Sequence, residues 1–337
     1  MSGETIYLDY KRATLHKKGA LLEVRTKEGT LAEIRPAFVE RLILKGSLSL
    51  TPAAMELLLD EGVHTVFLSH RGRYKAHIAA DAGRHIQLRM AQYKHTACTD
   101  RSLLTAKQIA RGKIKNQRRL LHAHHKNHAN EALGLAIQAL DRSVRDIDMA
   151  STLDTVRGLE GAAAARYFGV FGILLRNEDF TFSTRTRRPP LDPVNALLSL
   201  AYTLLSNAIQ AAVHCVGLDP FLASLHSIED RRPSLVCDLV EEFRDRLADN
   251  WIITSINRGQ IRLDDFQEPD STGRVSLTRT GFRKVASLFE EELERRQLYP
   301  PTQTSTRNRD IILEQVRSYA RHVRDEEIYI PIGSYED

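Results

Sequence analysis

The sequence has little cysteine, no long apolar leader and none of the familiar nucleotide-binding loops. Only Cys98, Cys215 and Cys237 occur among its 337 residues, with no CxxC pair and one thiol necessarily unmatched. That pattern argues against a disulfide framework and predicts reduced, buried thiols in a cytoplasmic protein. The opening residues, Met1 to Leu15, lack the apolar core of a signal peptide. No GxSxG elbow, P-loop or GxGxxG after a strand is present, which excludes serine-hydrolase and nucleotide-driven chemistry. There is no internal repeat and no low-complexity tract. The most apolar long stretch, Asn195 to Gly217, is interrupted by Ser199, Thr203, Ser206, Asn207, Gln210 and His214, so it reads as a buried helix and not a membrane span.

What is present suits a folded chain with an anionic partner. Hydrophobic residues make up 42%, enough for a core, and the net charge is +5 with a pI near 9.1. The excess is modest; nucleic acid, an acidic substrate or a membrane surface would all call for that sign.

Short strand-like runs dominate the first eighty residues: Thr5 to Asp9, Thr14 to His16, Ala20 to Arg25, Leu31 to Arg35, Leu42 to Leu44, Val63 to Ser69 and Tyr74 to Ile78. Lys17-Lys18-Gly19 and Lys27-Glu28-Gly29 are turn-like separators. One helix is expected from Pro52, capped by Thr51 and stopped by Gly62. From about residue 84 the apolar spacing changes to 3.6, as in Leu103, Ile109, Ile114 and Leu120. Loops are expected over Phe180 to Asp192 and Asp264 to Gly273. The fold class is therefore α+β: a β-rich N-terminal domain (1–83), a larger all-α domain (84–325) and an acidic tail (326–337).

Three groups of residues could carry chemistry. Glu160 precedes a run of alanines that lets helices approach closely, where a carboxylate is costly unless paired with a cation. The bland alternative is a solvent-facing Glu160 or a pair with Arg157. His226 closes a Gly217-Leu-Asp-Pro220 segment, and twelve residues on comes Asp238, with Glu241 three further along, on one face of a helix. One imidazole with two carboxylates suits Mg²⁺ or Mn²⁺; an ordinary amphipathic helix would instead turn its acids, Glu242 and Asp245 among them, to water. Lys107, Arg111, Lys113, Lys115, Arg118, Arg119 and Lys126 crowd one helical stretch and could line a phosphate groove. Arg185, Arg187 and Arg188 form a second such candidate. His122, His125 and His128 share the stretch, but nothing completes a zinc set at familiar spacing.

Taken in order, these segments resemble the CRISPR-associated integrase family of spacer acquisition. The most specific piece is Arg188-Pro-Pro-Leu-Asp-Pro-Val-Asn195-Ala-Leu-Leu-Ser199-Leu-Ala-Tyr202, similar to the family's proline-rich loop leading into an Asn-containing core helix. Lys113-Ile-Lys-Asn116-Gln117 resembles its Lys-Ile-x-Asn-Gln stretch. The Glu160, His226 and Asp238-Leu-Val-Glu241 segments fall in the family's order, and the likeness covers nearly the whole chain. The resemblance implies Glu160, His226 and Glu241 as metal ligands, with Glu242 the neighbouring alternative for the third. It implies Asp238 as an assisting acid and Asn195 as the residue that orders the loop. It further implies a homodimer through the N-terminal domain, DNA as partner, and a small ferredoxin-like protein bridging two dimers. The activity implied is metal-dependent joining of 3′-hydroxyl DNA ends to a repeat. A structure-selective repair nuclease would share these ligands, and a non-catalytic nucleic-acid-binding protein would leave the acids on the surface.

Overall fold

The computed structural model describes residues 4–10, 12–69, 74–78, 85–325 and 327–335. Strands β1 (Glu4–Leu8), β2 (Thr14–Lys18), β3 (Leu21–Thr26), β4 (Gly29–Ile34), β5 (Val39–Lys45) and β6 (Ser49–Leu50) precede helix α1 (Pro52–Asp60); β7 (His64–Leu68) and β8 (Tyr74–Ile78) follow it. They form two sheets, ordered β1-β5-β7-β8 and β4-β3-β2-β6. The turn-like Lys17-Lys18-Gly19 joins β2 to β3 antiparallel, with Gly19 at φ +61°, a conformation that costs glycine little. Thr51 caps α1 by accepting from Ala54 N, and Pro52 opens the helix. Leu15, Leu22, Val24, Leu42, Leu44, Leu57 and Leu58 close this small core.

The expected boundary at residue 83 lies outside the described residues. Beyond it come α2 (Ile86–Ala97), α3 (Thr99–Asn127), α4 (Glu131–Met149), α5 (Leu153–Val170), α6 (Pro193–Val216), α7 (Ser234–Val240), α8 (Asn250–Asn257), α9 (Arg279–Glu294) and α10 (Asn308–Asp325). This part is not wholly helical as expected: β9 (Arg296–Tyr299) and β10 (Thr304–Arg307) pair antiparallel. Pro300 and Pro301 cannot continue a helix, and the threonines after them favour extended backbone. Helix α6 has the length and mean hydropathy, 1.4, of a membrane span, but 67% of that stretch is buried inside the protein. It packs against α7 and α10 as a core element. The three cysteines are free and only partly buried, short of the burial expected.

The expected acidic tail is packed, not loose. Tyr329 and Ile332 are 1% and 0% exposed. Gly333 lies so close to Asn116 that a Cβ there would fall 1.7 Å from Asn116 Oδ1. Tail-like composition hid three residues, Tyr329, Pro331 and Ile332, that bury against α3 and α10.

The sheet meets the helical part through Ile43, Val66 and Ala211. Arg309 of α10 stands 3.6 Å over the Tyr7 ring, and Lys45 reaches Glu290 at 3.3 Å. At the same joint the rings of His64 and His77 stack at 5.3 Å, His77 meets His214 at 4.4 Å, and Tyr74 stacks on His214 at 4.7 Å. Burial first, then the neighbouring His77, lowers both His64 and His214 to about 4. The folded state thus holds these rings neutral, whereas the unfolded chain protonates them near 6.5. A depressed imidazole value means the stability is present above pH 6.5 and is lost as pH falls towards 4. Denaturant titrations should show a loss of roughly 1–3 kcal/mol per ring over that window, and the His64→Gln/His214→Gln double variant should flatten it.

Candidate metal centre and its carboxylate support

Between Asp238 and Asp249 the chain buries five carboxylates: Asp238, Glu241, Glu242, Asp245 and Asp249 are 0%, 3%, 2%, 4% and 1% exposed. The expectation that Glu242 and Asp245 face water is therefore wrong. Two features of the chain account for it. Asp238, Glu241, Glu242 and Asp245 stand at i, i+3, i+4 and i+7, so they share one helical face, and the chain runs on through Asp245–Asp249 as a π-helical turn. The C-terminal segment and α3 then cover the side that an isolated amphipathic helix would expose.

Asp238 accepts from the backbone N–H groups of Ser224, Leu225 and His226 at 2.8 to 2.9 Å, and its Oδ1 lies 2.8 Å from His226 Nδ1. A carboxylate partner means that Nδ1 carries the proton, which leaves Nε2 as a lone-pair donor. Nε2 faces Glu241 Oε1 at 3.9 Å. The loop bearing His226 is pinned elsewhere too. Gln92 of α2 donates to Asp219 O and Leu222 O and accepts from Asp219 N, while Arg157 of α5 donates to Leu225 O at 2.6 Å. Arg157 is thus engaged with the loop and with Asp154, and does not pair with Glu160.

Glu160, on α5 and 22% exposed at its side chain, pairs with Lys113 of α3. The same ammonium lies 2.7 Å from Glu241 Oε2, and Arg244 approaches that oxygen at 3.3 Å. Burial alone would raise the Glu241 carboxyl, but the charges of Arg244 and Lys113 outweigh it and hold the group below its usual value. Lys113 was expected in a solvent groove; it is 4% exposed and sits among the acids. The signal was in the pattern, because Ala106, Ile109, Ala110, Ile114, Leu120 and Leu121 form the buried stripe of α3 and Lys113 falls on it.

The remaining acids form a supporting layer. Glu242 accepts from the Tyr329 hydroxyl and from Ile332 N, and burial pushes its carboxyl up to about 7. It faces the C-terminal segment, away from His226. Asp245 pairs with Arg119 at 3.4 Å, and burial raises it as well. Asp249 accepts from the hydroxyls of Tyr167 and Tyr202 at 2.9 and 2.6 Å, and burial brings it to about 6. Arg244 lies 4.5 Å over the Tyr202 ring, linking this layer back to Glu241. Tyr167, Tyr202, Arg244 and Asp249 were not singled out from sequence. Asn195 accepts from Arg185 and Thr186 N and donates to Thr184 O, so it ties the proline-rich loop to the start of α6.

The basic residues divide. Arg185 is drawn inward onto Asn195, Ser199 and the Tyr202 face, whereas Arg187 and Arg188 are exposed. Arg111 pairs with Asp148, Arg118 with Asp141, and Lys107 donates to Asp148 O, all across the α3–α4 contact. Arg118, Lys115, Arg119 and His122 line a cavity of about 500 Å³. Among the described residues, no three His, Cys, Asp or Glu side chains are gathered to share one ion; Glu160 and Glu241 meet through Lys113. The donor types nevertheless fit a hard divalent cation, with two carboxylates and an imidazole nitrogen whose tautomer is fixed by Asp238.

The family profile "CRISPR associated protein Cas1" matches residues 6–291. A Rhodospirillum rubrum protein named "CRISPR-associated endonuclease Cas1 2" is 35% identical over 97% of each chain. Two solved structures share the fold. One, described as "Casposase bound to integration product", has a TM-score of 0.75 at 21% identity over 99% of each chain. The other, "Partial Cas6-RT-Cas1--Cas2 complex", has a TM-score of 0.76 at 24% identity over 97% of each. With the profile spanning most of its length and a curated relative matching end to end, this chain belongs to the Cas1 family of CRISPR-associated proteins.

Proposed function

We propose that this chain is a metal-dependent DNA integrase and endonuclease of CRISPR adaptation, with Glu160, His226 and Glu241 as ligands for Mg²⁺ or Mn²⁺. The observation that carries the reading is the run of contacts from Glu160 on α5 through Lys113 to Glu241 after α7 and on to His226 Nε2, 3.9 Å from Glu241 Oε1. Glu242 is the weaker choice for the third ligand, since its carboxyl is committed to Tyr329 and Ile332 N. A cation bound there would polarise a phosphodiester and stabilise the charge developing on it.

The chain's own residues prepare that chemistry. Asp238, fully buried, is a positioning residue that fixes the loop backbone and the tautomer of His226. Arg244 and Lys113 keep Glu241 ionised. A 3′-hydroxyl of a captured DNA fragment attacks a phosphodiester at the repeat end, so that one P–O bond forms as another breaks and the number of diesters is unchanged. No triphosphate is required, in keeping with the missing P-loop. Exposed Arg187 and Arg188, together with Lys107, Lys115, Arg111 and Arg118, are the proposed phosphate contacts. The named neighbours, a casposase on its integration product and a complex containing Cas1 and Cas2, support DNA and a small partner protein as associates. The homodimer contact that the family resemblance implies is assigned to the β-rich part, where Leu31 and Phe38 are 48% and 66% exposed.

Strand transfer tests the proposal. Purified protein, with and without a Cas2-type partner, should join a labelled 3′-hydroxyl duplex to a repeat plasmid in Mn²⁺ or Mg²⁺. The product should vanish in EDTA and fall at least ~10²-fold in Glu160→Ala, His226→Ala and Glu241→Ala, while Glu242→Gln retains joining. Cleavage without joining would point to a repair nuclease, and unchanged activity in the variants would overturn the ligand set. Separately, Asp238→Asn should destabilise the fold by about 2–4 kcal/mol, because an amide cannot accept all four of the donors that converge on this buried carboxylate. His226→Ala should cost less in the same urea titration, since its ring is about a quarter exposed.

A further inference from the structure

Lys113 has no solvent role and none among the proposed ligands, yet it is the most deeply placed cation of the site. Its ammonium contacts Glu160 and Glu241 together while its side chain is 4% exposed. Glu160 and Glu241 face two cations, Lys113 and Arg244, and with Asp238 behind them these five side chains carry a single net negative charge. A divalent ion entering that set gains far less than it would from the carboxylates alone. It also needs the carboxylate oxygens that the ammonium now holds. Two like-charged acids brought together from α5 and α7 would in turn repel one another without a cation between them.

We propose that Lys113 is a resident counter-ion of the metal centre: it holds Glu160 and Glu241 together before the ion arrives, and yields those oxygens to it. This rests on the ligand assignment above. Lysine suits the exchange better than arginine would, because a single ammonium on a flexible four-carbon stem releases its partners more easily than a bidentate guanidinium. Arg244, stacked on Tyr202, is the cation that stays.

The full chain, freed of metal with EDTA and dialysed, is titrated with Mn²⁺ by calorimetry. Lys113→Met should bind Mn²⁺ about tenfold more tightly or better than the unaltered protein, since one opposing charge has gone. Lys113→Arg, which keeps the charge, should bind no more tightly than the unaltered protein. In EDTA, Lys113→Met should melt several degrees lower, and saturating Mn²⁺ should raise its Tm by more than it raises that of the unaltered protein. Should Lys113→Met fail to fold, amine acetylation of the unaltered protein read by mass spectrometry decides. Modification of Lys113 should increase on adding Mn²⁺, with Lys126 as the exposed reference. Unchanged or weaker Mn²⁺ binding in folded Lys113→Met, or unchanged labelling of Lys113, overturns the proposal while leaving the ligands standing. If Glu160→Gln and His226→Gln do not weaken Mn²⁺ binding, the ligand assignment itself fails and this proposal with it.

Discussion

Burying a carboxylate in protein costs several kcal/mol unless something answers its charge, and here the cost arises five times within one short segment. Each acid from Asp238 to Asp249 has its own answer: a nest of backbone amides, a lysine with an arginine, a tyrosine and an amide, an arginine, a pair of tyrosines. These answers come from α3, α5, α6, the His226 loop and the C-terminal segment. Much of the helical architecture can be understood as what is needed to bring so many donors to one strip of chain.

The arrangement separates two tasks. Asp238, Glu242, Asp245 and Asp249 are spent on structure and have their donors in place. Glu160 and Glu241 are instead held together by a cation that is itself a side chain, with His226 Nε2 3.9 Å from Glu241. Among the described residues, the β-rich part makes no hydrogen bond or ion pair with these side chains. It is joined to α6 and α10 through Ile43, Tyr7 and a stack of neutral histidines, so the joint and the centre share helices while having separate chemistry.

The order of strands and then helices was legible in the sequence because both periodicities are strong, and Thr51, Gly19 and the proline-rich loop behave as their residue types require. Glu160, His226, Asp238 and Glu241 were legible as a constellation, mainly through family resemblance; their spacing alone left them open. The acids at 242 and 245 were misjudged because charge was taken to mean water, although they share one helical face with Asp238 and Glu241, a face that α3 and the C-terminal segment cover. Lys113 was misjudged by composition, which counted it with its basic neighbours when its position on the apolar stripe put it inside. The hairpin of β9 and β10 is too short for its alternation to stand out. The packed C-terminus is invisible to composition because three contacts, at Tyr329, Pro331 and Ile332, outweigh its acidic character.

That packed segment also imposes an order on assembly. Synthesis runs from the N-terminus, so Glu160, His226 and Glu241 all leave the ribosome well before Tyr329 and Ile332. Until those last residues arrive, Glu242 has neither its hydroxyl nor its amide partner, and the back of the strip that carries Glu241 is open to water. A nascent chain therefore carries Glu160, His226 and Glu241 before it carries the wall behind Glu241.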